Sequence, residues 1–192
     1  MSAPLTVLAF AGSLRRNSIN GALVAAARDE APAGVTVDIW AGLGSIPPYN
    51  EDDEGDRTPQ AVLDFRRLIG EADALLIATP EYNSSIPGVL KNALDWASRP
   101  YGVAELVGKP TLVVGASASP FGAAWAQAEL RKVLAASGAR VLEGGASFAK
   151  APERIAADGG VHADDAVRLE LAMLLSLLSD AAREPVEAAA GA

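Results

Sequence analysis

Ten residues, AGSLRRNSIN from Ala11 to Asn20, concentrate the groups that bind an oxygen-rich anion: one glycine, the hydroxyls of Ser13 and Ser18, and the guanidinium groups of Arg15 and Arg16. They follow the apolar run LTVLAF and precede a helical pattern beginning at Ile19, so free main-chain amides add to the same attraction. A phosphate is the guest such a loop suits. The same Gly-Ser-Asn composition is also that of an ordinary loop in which Ser18 caps a helix. The loop has neither the GxGxxG spacing of a dinucleotide fold nor the GxxxxGK[ST] of a triphosphate loop. A phosphorylated ligand held in another way is what those absences leave.

Other chemistry is narrowed by what the chain lacks. Its 192 residues include no cysteine, which removes thiolate catalysis, disulfides and cysteine-based metal sites. The single histidine, His162, sits in the polar string ADGGVHADD and reads as a solvated loop residue rather than a catalytic base. A formal charge of −8 argues against nucleic acid or an anionic membrane as partner, since both need clustered positive charge. Any anion must be caught locally. The N-terminal MSAPLTVLAF is too short and insufficiently basic for a signal peptide, and no apolar run approaches the roughly 18 residues of a membrane span, so a cytoplasmic protein is expected.

The elements that must position the loop are short apolar runs alternating with helical patterns. Strands are expected at Leu5–Ala11, Val35–Trp40, Ala74–Thr79, Pro110–Ala116 and Arg140–Gly144. TVLAFA, ALLIAT and TLVVGA are apolar on both faces, as central parallel strands covered on both sides must be. Helices are expected from Ile19 to Glu30, through Val62, Phe65 and Ile69, from Pro87 to Ser98, from Ala123 to Ser137, and from Asp164 to about Ala182. The last carries Val167, Leu171, Leu174 and Leu178 on one stripe, with Leu169, Met173 and Leu177 off it, so it calls for a wide groove or a second surface.

Five strands and five helices in alternation predict an α/β fold: a doubly wound, five-stranded parallel sheet with helices on both faces. One domain over residues 1–182 and a disordered tail over 183–192 are expected. In such a sheet ligands sit outside the carboxyl ends of the strands. That brings AGSLRRNSIN together with TPEYNSSIPGVLKNALDW, which starts at Thr79, and with GASASPFGAA, which starts at Gly115. The polar connection from Ala41 to Arg57, AGLGSIPPYNEDDEGDR, is long enough to suggest function.

Together these strings resemble the NAD(P)H-dependent FMN reductase family of flavodoxin-like quinone, azo and chromate reductases. GSLRRNSIN and PEYNSSIPGVLKNALDWASRP carry the resemblance, supported by PPYNEDDE and by the GKP before the fourth strand. The resemblance implies that Ser13, Arg15, Ser18 and Asn20 hold the 5′-phosphate of FMN, with Arg16 facing solvent. It implies that Glu81, Tyr82 and Asn83 line the isoalloxazine, that Pro80 shapes their turn, and that Ser117 and Gly122 approach the flavin or the nicotinamide. The family usually has a more glycine-rich loop than SASPFGAAW at that last position.

The implied activity is an FMN-dependent oxidoreductase. NADPH or NADH gives hydride to flavin N5, and electrons pass on by ping-pong to a quinone-like or other small acceptor. No side chain acts as general acid or base. Leu90, Leu94 and Trp96 read as packing residues, and Lys91 and Asp95 as an i, i+4 pair. Trp40, Trp96 and Trp125 read by default as core or interface residues. A homodimer or dimer of dimers is the family expectation. A flavodoxin-type electron carrier and a non-catalytic FMN-binding module are the alternatives.

Overall fold

The computed structural model describes residues 4–156 and 162–184. Strands β1 (Leu5–Ala11), β2 (Val35–Ile39), β3 (Ala74–Thr79) and β4 (Pro110–Ala116) pair in parallel, in the order β2-β1-β3-β4. Alternate residues of the central strands serve opposite faces, as the two-residue period of a strand requires. Ala74, Leu76 and Ala78 of β3 join one core cluster, with helices α1 (Ile19–Asp29) and α5 (Asp165–Arg183); Leu75 and Ile77 join the other, with α2 (Gln60–Glu71), α3 (Gly88–Ala97) and α4 (Ala124–Ala136). Helices thus cover both faces, and the doubly wound α/β expectation holds.

The fifth strand is the main correction. In place of a continuous Arg140–Gly144, two short pieces pair with β4: β5 (Arg140–Val141) beside Pro110 and Thr111, and β6 (Ser147–Phe148) beside Gly115 and Ala116. The cause lies on α4. Arg131 donates to the carbonyl of Val113 at 3.0 Å and to that of Gly144 at 2.7 Å, occupying an acceptor that a continuous ladder would use. The sheet therefore has six strand segments rather than five full strands.

Two further differences lie near the C-terminus. His162 belongs by its backbone to β8 (His162–Ala163), which pairs antiparallel with β7 (Ile155–Ala156), rather than to a loop. Arg183 closes α5 instead of opening a tail, and residues 185–192 of the expected tail lie outside the described residues. On α5, Val167, Leu171, Leu175 and Leu178 are buried while Leu169, Met173 and Leu177 are exposed, so the helix uses its groove and keeps an apolar outer stripe.

Asp164 caps α5 by accepting from the Val167 amide at 2.7 Å, and Arg154 donates to the same carboxylate. The Arg154 hydrogen bond, and behind it the Val167 amide, hold this carboxyl below its ordinary value against the opposing effect of burial. A group with a depressed folded value stabilises above its unfolded value and loses that contribution as the pH falls through the folded one. Asp164→Ala is therefore expected to cost about 1 kcal/mol at neutral pH. The gap from the parent protein should close in acid, as urea unfolding at a series of pH values will show.

The connection between β2 and α2 is ordered by three short 3₁₀ turns and by side chains from α3. Asn92 accepts from the Tyr49 amide at 2.7 Å and donates to the Pro47 carbonyl at 2.8 Å, and the fully buried Trp96 donates to that carbonyl too. Tyr49 donates to Glu54 at 2.6 Å, which holds its phenol above the ordinary value, and Arg99 donates to both. PPYNEDDE is thus a brace on α3. The expected pair Lys91–Asp95 forms at 2.6 Å, and Leu90 and Leu94 are buried as packing residues.

Candidate functional site

The chain runs from β1 outward to β2 and then crosses back to β3, so the strand order reverses between β1 and β3. A crevice at the carboxyl ends of those two strands follows from the reversal, because the connecting helices leave on opposite faces. Gly12 stands at its mouth. Its amide donates to Ala78, and a Cβ there would lie 2.9 Å from Leu90 and 3.3 Å from Pro80, so only glycine lets the loop after β1 close on the loop after β3.

Beyond Gly12 the loop gathers hydrogen-bond donors and positive charge. Ser18 is the N-cap of α1; its hydroxyl accepts from Gly21 at 3.1 Å, leaving its own hydrogen to donate. The main-chain amides of Arg16 and Asn17 have no acceptor among the described residues. Arg15 and Arg16 are both exposed and form no ion pair there. Ser13, Arg15 and Ser18 line a cavity of about 690 Å³, bounded on its far side by Trp40, Gly44 and Ser45 of the connection after β2. No carboxylate lines it. Arg16, read from sequence as facing solvent, is exposed and also borders this cavity. In a chain of net charge −8 this is a local positive field of the kind that holds a phosphate.

The structure gives Asn20 a different place. Its carboxamide is buried, donates to the Ala116 carbonyl at 2.9 Å and accepts from the Ala116 amide at 3.0 Å. Both heteroatoms tie the first turn of α1, and with it the loop before that helix, to the end of β4. Asn20→Ala would leave a buried amide and carbonyl without partners, and a loss of about 2 kcal/mol in unfolding free energy is expected. Asn20→Asp should lose nearly as much, because a carboxylate cannot donate to the carbonyl.

After β3, Pro80 is buried against Gly12, and Tyr82 and Ser85 pair through their backbones across a tight turn. Asn83 at φ 53° and Ser84 at φ 60° are both left-handed, as a type I′ turn demands. Asparagine tolerates that region and serine less well, so the turn stores strain of about 1 kcal/mol at the edge of the crevice. Glu81 is engaged on α4 through its side chain. Its carboxylate accepts from the Trp125 and Ala126 amides at 3.0 and 3.1 Å, capping α4 from a distance and locking the loop after β3 to the first turn of α4, where the loop after β4 ends. Its side chain is a clamp; what it offers the crevice is its backbone.

Gly122 and Ser117 belong to that second loop. Gly122 sits at φ +58°, and a Cβ there would come within 2.5 Å of the Ser147 carbonyl carbon and 2.8 Å of the Phe148 amide nitrogen. Its main chain packs closely on β6. Ser117 is bonded through its backbone to Phe148 and Ala151, and its hydroxyl pairs with that of Ser119 at 2.8 Å. Of the three tryptophans, Trp96 is in the core and Trp40 stacks on Phe65 at 4.0 Å, whereas Trp125 is exposed beside Phe121. Sequence reasoning passed over Phe121, and its signal was the aromatic spacing i, i+4 inside an otherwise small and polar stretch.

A doubly wound sheet in the order 2-1-3-4-5, with a donor-rich loop after β1 and two braced loops after β3 and β4, is the flavodoxin-like arrangement. The model of the NADPH-dependent FMN reductase family matches residues 5–153. A 2-hydroxy-1,4-benzoquinone reductase of Burkholderia sp is 41% identical over 162 residues, spanning 84% of this chain and 87% of that protein. An NAD(P)H-dependent FMN reductase of Pseudomonas aeruginosa is 49% identical over 134 residues, or 70% of this chain and 71% of that protein. The solved structure of FerB, a flavoenzyme NAD(P)H:(acceptor) oxidoreductase from Paracoccus denitrificans, superposes with a TM-score of 0.80 at 36% identity, covering 93% of this chain and 97% of that one. The chain belongs to the NADPH-dependent FMN reductase family, and it is an oxidoreductase of that class. No helix among the described residues is long and apolar enough to cross a membrane.

Proposed function

We propose that this protein holds FMN at the switch point and uses it to carry reducing equivalents from NADPH or NADH to a quinone-like acceptor. The observation that carries this reading is the cradle: open amides, two hydroxyls and two arginines without an opposing carboxylate, a donor set that fits a dianionic phosphate. Ser13, Arg15 and Ser18 hold the phosphate, with Arg16 at the outer edge. Pro80, Glu81, Tyr82 and Asn83 line the ring with their turn, and Ser117 borders it from the loop after β4. When bound, FMN would supply the redox chemistry, a two-electron exchange at flavin N5 first with the nicotinamide and then with the acceptor, so the two substrates would alternate by ping-pong.

The chain's own task is binding and orientation. Glu81 ties the loop after β3 to the first turn of α4, and Asn20 ties the first turn of α1 to the end of β4, so the ring-side and phosphate-side walls keep a fixed separation. The free amides of the turn at Tyr82–Ser85 and of the cradle favour added negative charge. No side chain in either loop is needed as an acid or base. A homodimer or dimer of dimers is part of the same proposal, with the exposed stripe Leu169, Met173 and Leu177 as an apolar face available to it.

Comparing flavins tests the cradle directly. Riboflavin shares the ring and lacks the phosphate; FMN is expected to bind the apoprotein about 100-fold more tightly in a fluorescence titration, the effect of two or three charge-assisted hydrogen bonds. Equal affinity for the two flavins would contradict the reading.

A further inference from the structure

The chain has ten aromatic residues, and four of them are exposed: Tyr82, Tyr101, Phe121 and Trp125. Tyr82 and Phe121 lie on the loops at the carboxyl ends of β3 and β4, and Trp125 lies in the first turn of α4. Phe121 is 53% exposed and Trp125 50%, with ring centroids 4.7 Å apart and planes at 62°. Neither belongs to a core cluster. Water-facing aromatic rings forgo the burial that makes them stabilising elsewhere, so fold stability does not account for the pair.

The frame beneath the pair is rigid. Glu81 accepts from the Trp125 amide, Ser119 accepts from the Phe121 amide at 3.2 Å, and Gly122 and Ala123 are fixed in the left-handed region against β6. All of these bonds use the backbone of Phe121 and Trp125, so the side chains are free of structural duty. Through Glu81 the frame is also joined to the turn proposed to line the flavin ring. The geometry points to an acceptor subsite: Phe121 and Trp125 form an aromatic wall that receives planar, quinoid electron acceptors beside the ring. This inference rests on the function proposed above.

The area of the patch favours a small ligand over a second copy of the chain. Two aromatic side chains bury roughly 150–250 Å² each at most, against about 800 Å² per partner for a stable interface. The neighbouring Ser117 and Ser119 make its border polar rather than extending it. An edge-to-face pair with one open side accepts a third flat ring by offset stacking.

The test uses FMN-loaded protein and the variants Phe121→Ala, Trp125→Ala and Trp125→Phe. With NADPH saturating, kcat and KM are measured for menadione, which is flat and quinoid, and for ferricyanide, which is neither. The ratio of kcat/KM for menadione to that for ferricyanide is expected to fall about five- to tenfold in each alanine variant, through KM, and to recover in Trp125→Phe. A second readout needs no turnover. Menadione titrated into the oxidised protein without NADPH should quench tryptophan fluorescence saturably, and Trp125→Ala should abolish that component.

Equal loss with both acceptors, an unchanged ratio, or a shift confined to the KM of NADPH would overturn the subsite. So would a change of sedimentation coefficient in the alanine variants with no change in the ratio, which would assign the pair to an interface between copies. Should the parent protein reduce neither acceptor, the proposed function itself fails. Activity in the parent with an unaltered ratio in the variants removes the aromatic wall alone.

Discussion

Replacing Arg15 by alanine should weaken FMN binding about 10- to 100-fold, the range expected when one charge-assisted hydrogen bond to a phosphate is removed. The folded protein should scarcely notice. The Arg15 side chain is exposed and takes part in no ion pair or hydrogen bond among the described residues, so its removal falls within the roughly 0.5 kcal/mol typical of neutral surface changes. Flavin titration and thermal melting of the apoprotein separate the two effects. Arg15→Lys should recover only part of the affinity, because an ammonium supplies charge without the two parallel donors of a guanidinium. An apoprotein that loses several degrees of melting temperature would place Arg15 in the fold instead.

Gly122→Ala has its largest effect on stability. The new methyl group would meet the backbone of Ser147 and Phe148, which cannot rotate away as a side chain can, and the residue would be held at φ +58°. A loss of about 3 kcal/mol is expected, or roughly 6–12 °C in melting temperature for a chain of this size. Flavin affinity at low temperature should fall much less than in Arg15→Ala. These two variants therefore separate a residue that faces the ligand from one that holds the loop. Both had been read from the sequence as cofactor-binding residues.

Legibility of the fold followed from how local each signal is. The central strands declare themselves because ALLIAT and TLVVGA are apolar at every position, which only a sheet covered on both faces allows. Helix ends were legible to within a residue or two at Ser18, Pro87 and Asp164, each at or beside the first turn of its helix. The broken fifth strand was not legible. Nothing in ARVLEGG announces that Arg131, on the preceding helix, will take the Val113 carbonyl. The sequence of that segment is compatible with a strand; a distant side chain removes its partner.

The site divides in the same way. The donors of AGSLRRNSIN were readable because they are contiguous and the helix start adds main-chain amides to them. Asn20 and Glu81 lie among equally suggestive neighbours, yet their side chains face partners 96 and 44 residues away. Composition near a residue cannot show where its side chain points when the partner comes from another strand. The resemblance names both as cofactor-binding residues, and the structure shows side chains that tie neighbouring elements together. Trp125 shows the opposite case, a large apolar residue assigned by default to packing and found in solvent on the first turn of α4.

The most direct measurement of the central claim is an anaerobic titration of the FMN-loaded protein with NADPH, followed in the visible flavin bands. One equivalent of NADPH per flavin is expected to bleach the bands fully, and one equivalent of benzoquinone to restore them, each half-reaction proceeding without the other substrate present. Flavin bands that persist with NADPH and NADH alike, or that bleach and are not restored by a quinone, would contradict the account and leave the cradle as part of a flavin-binding protein without this turnover.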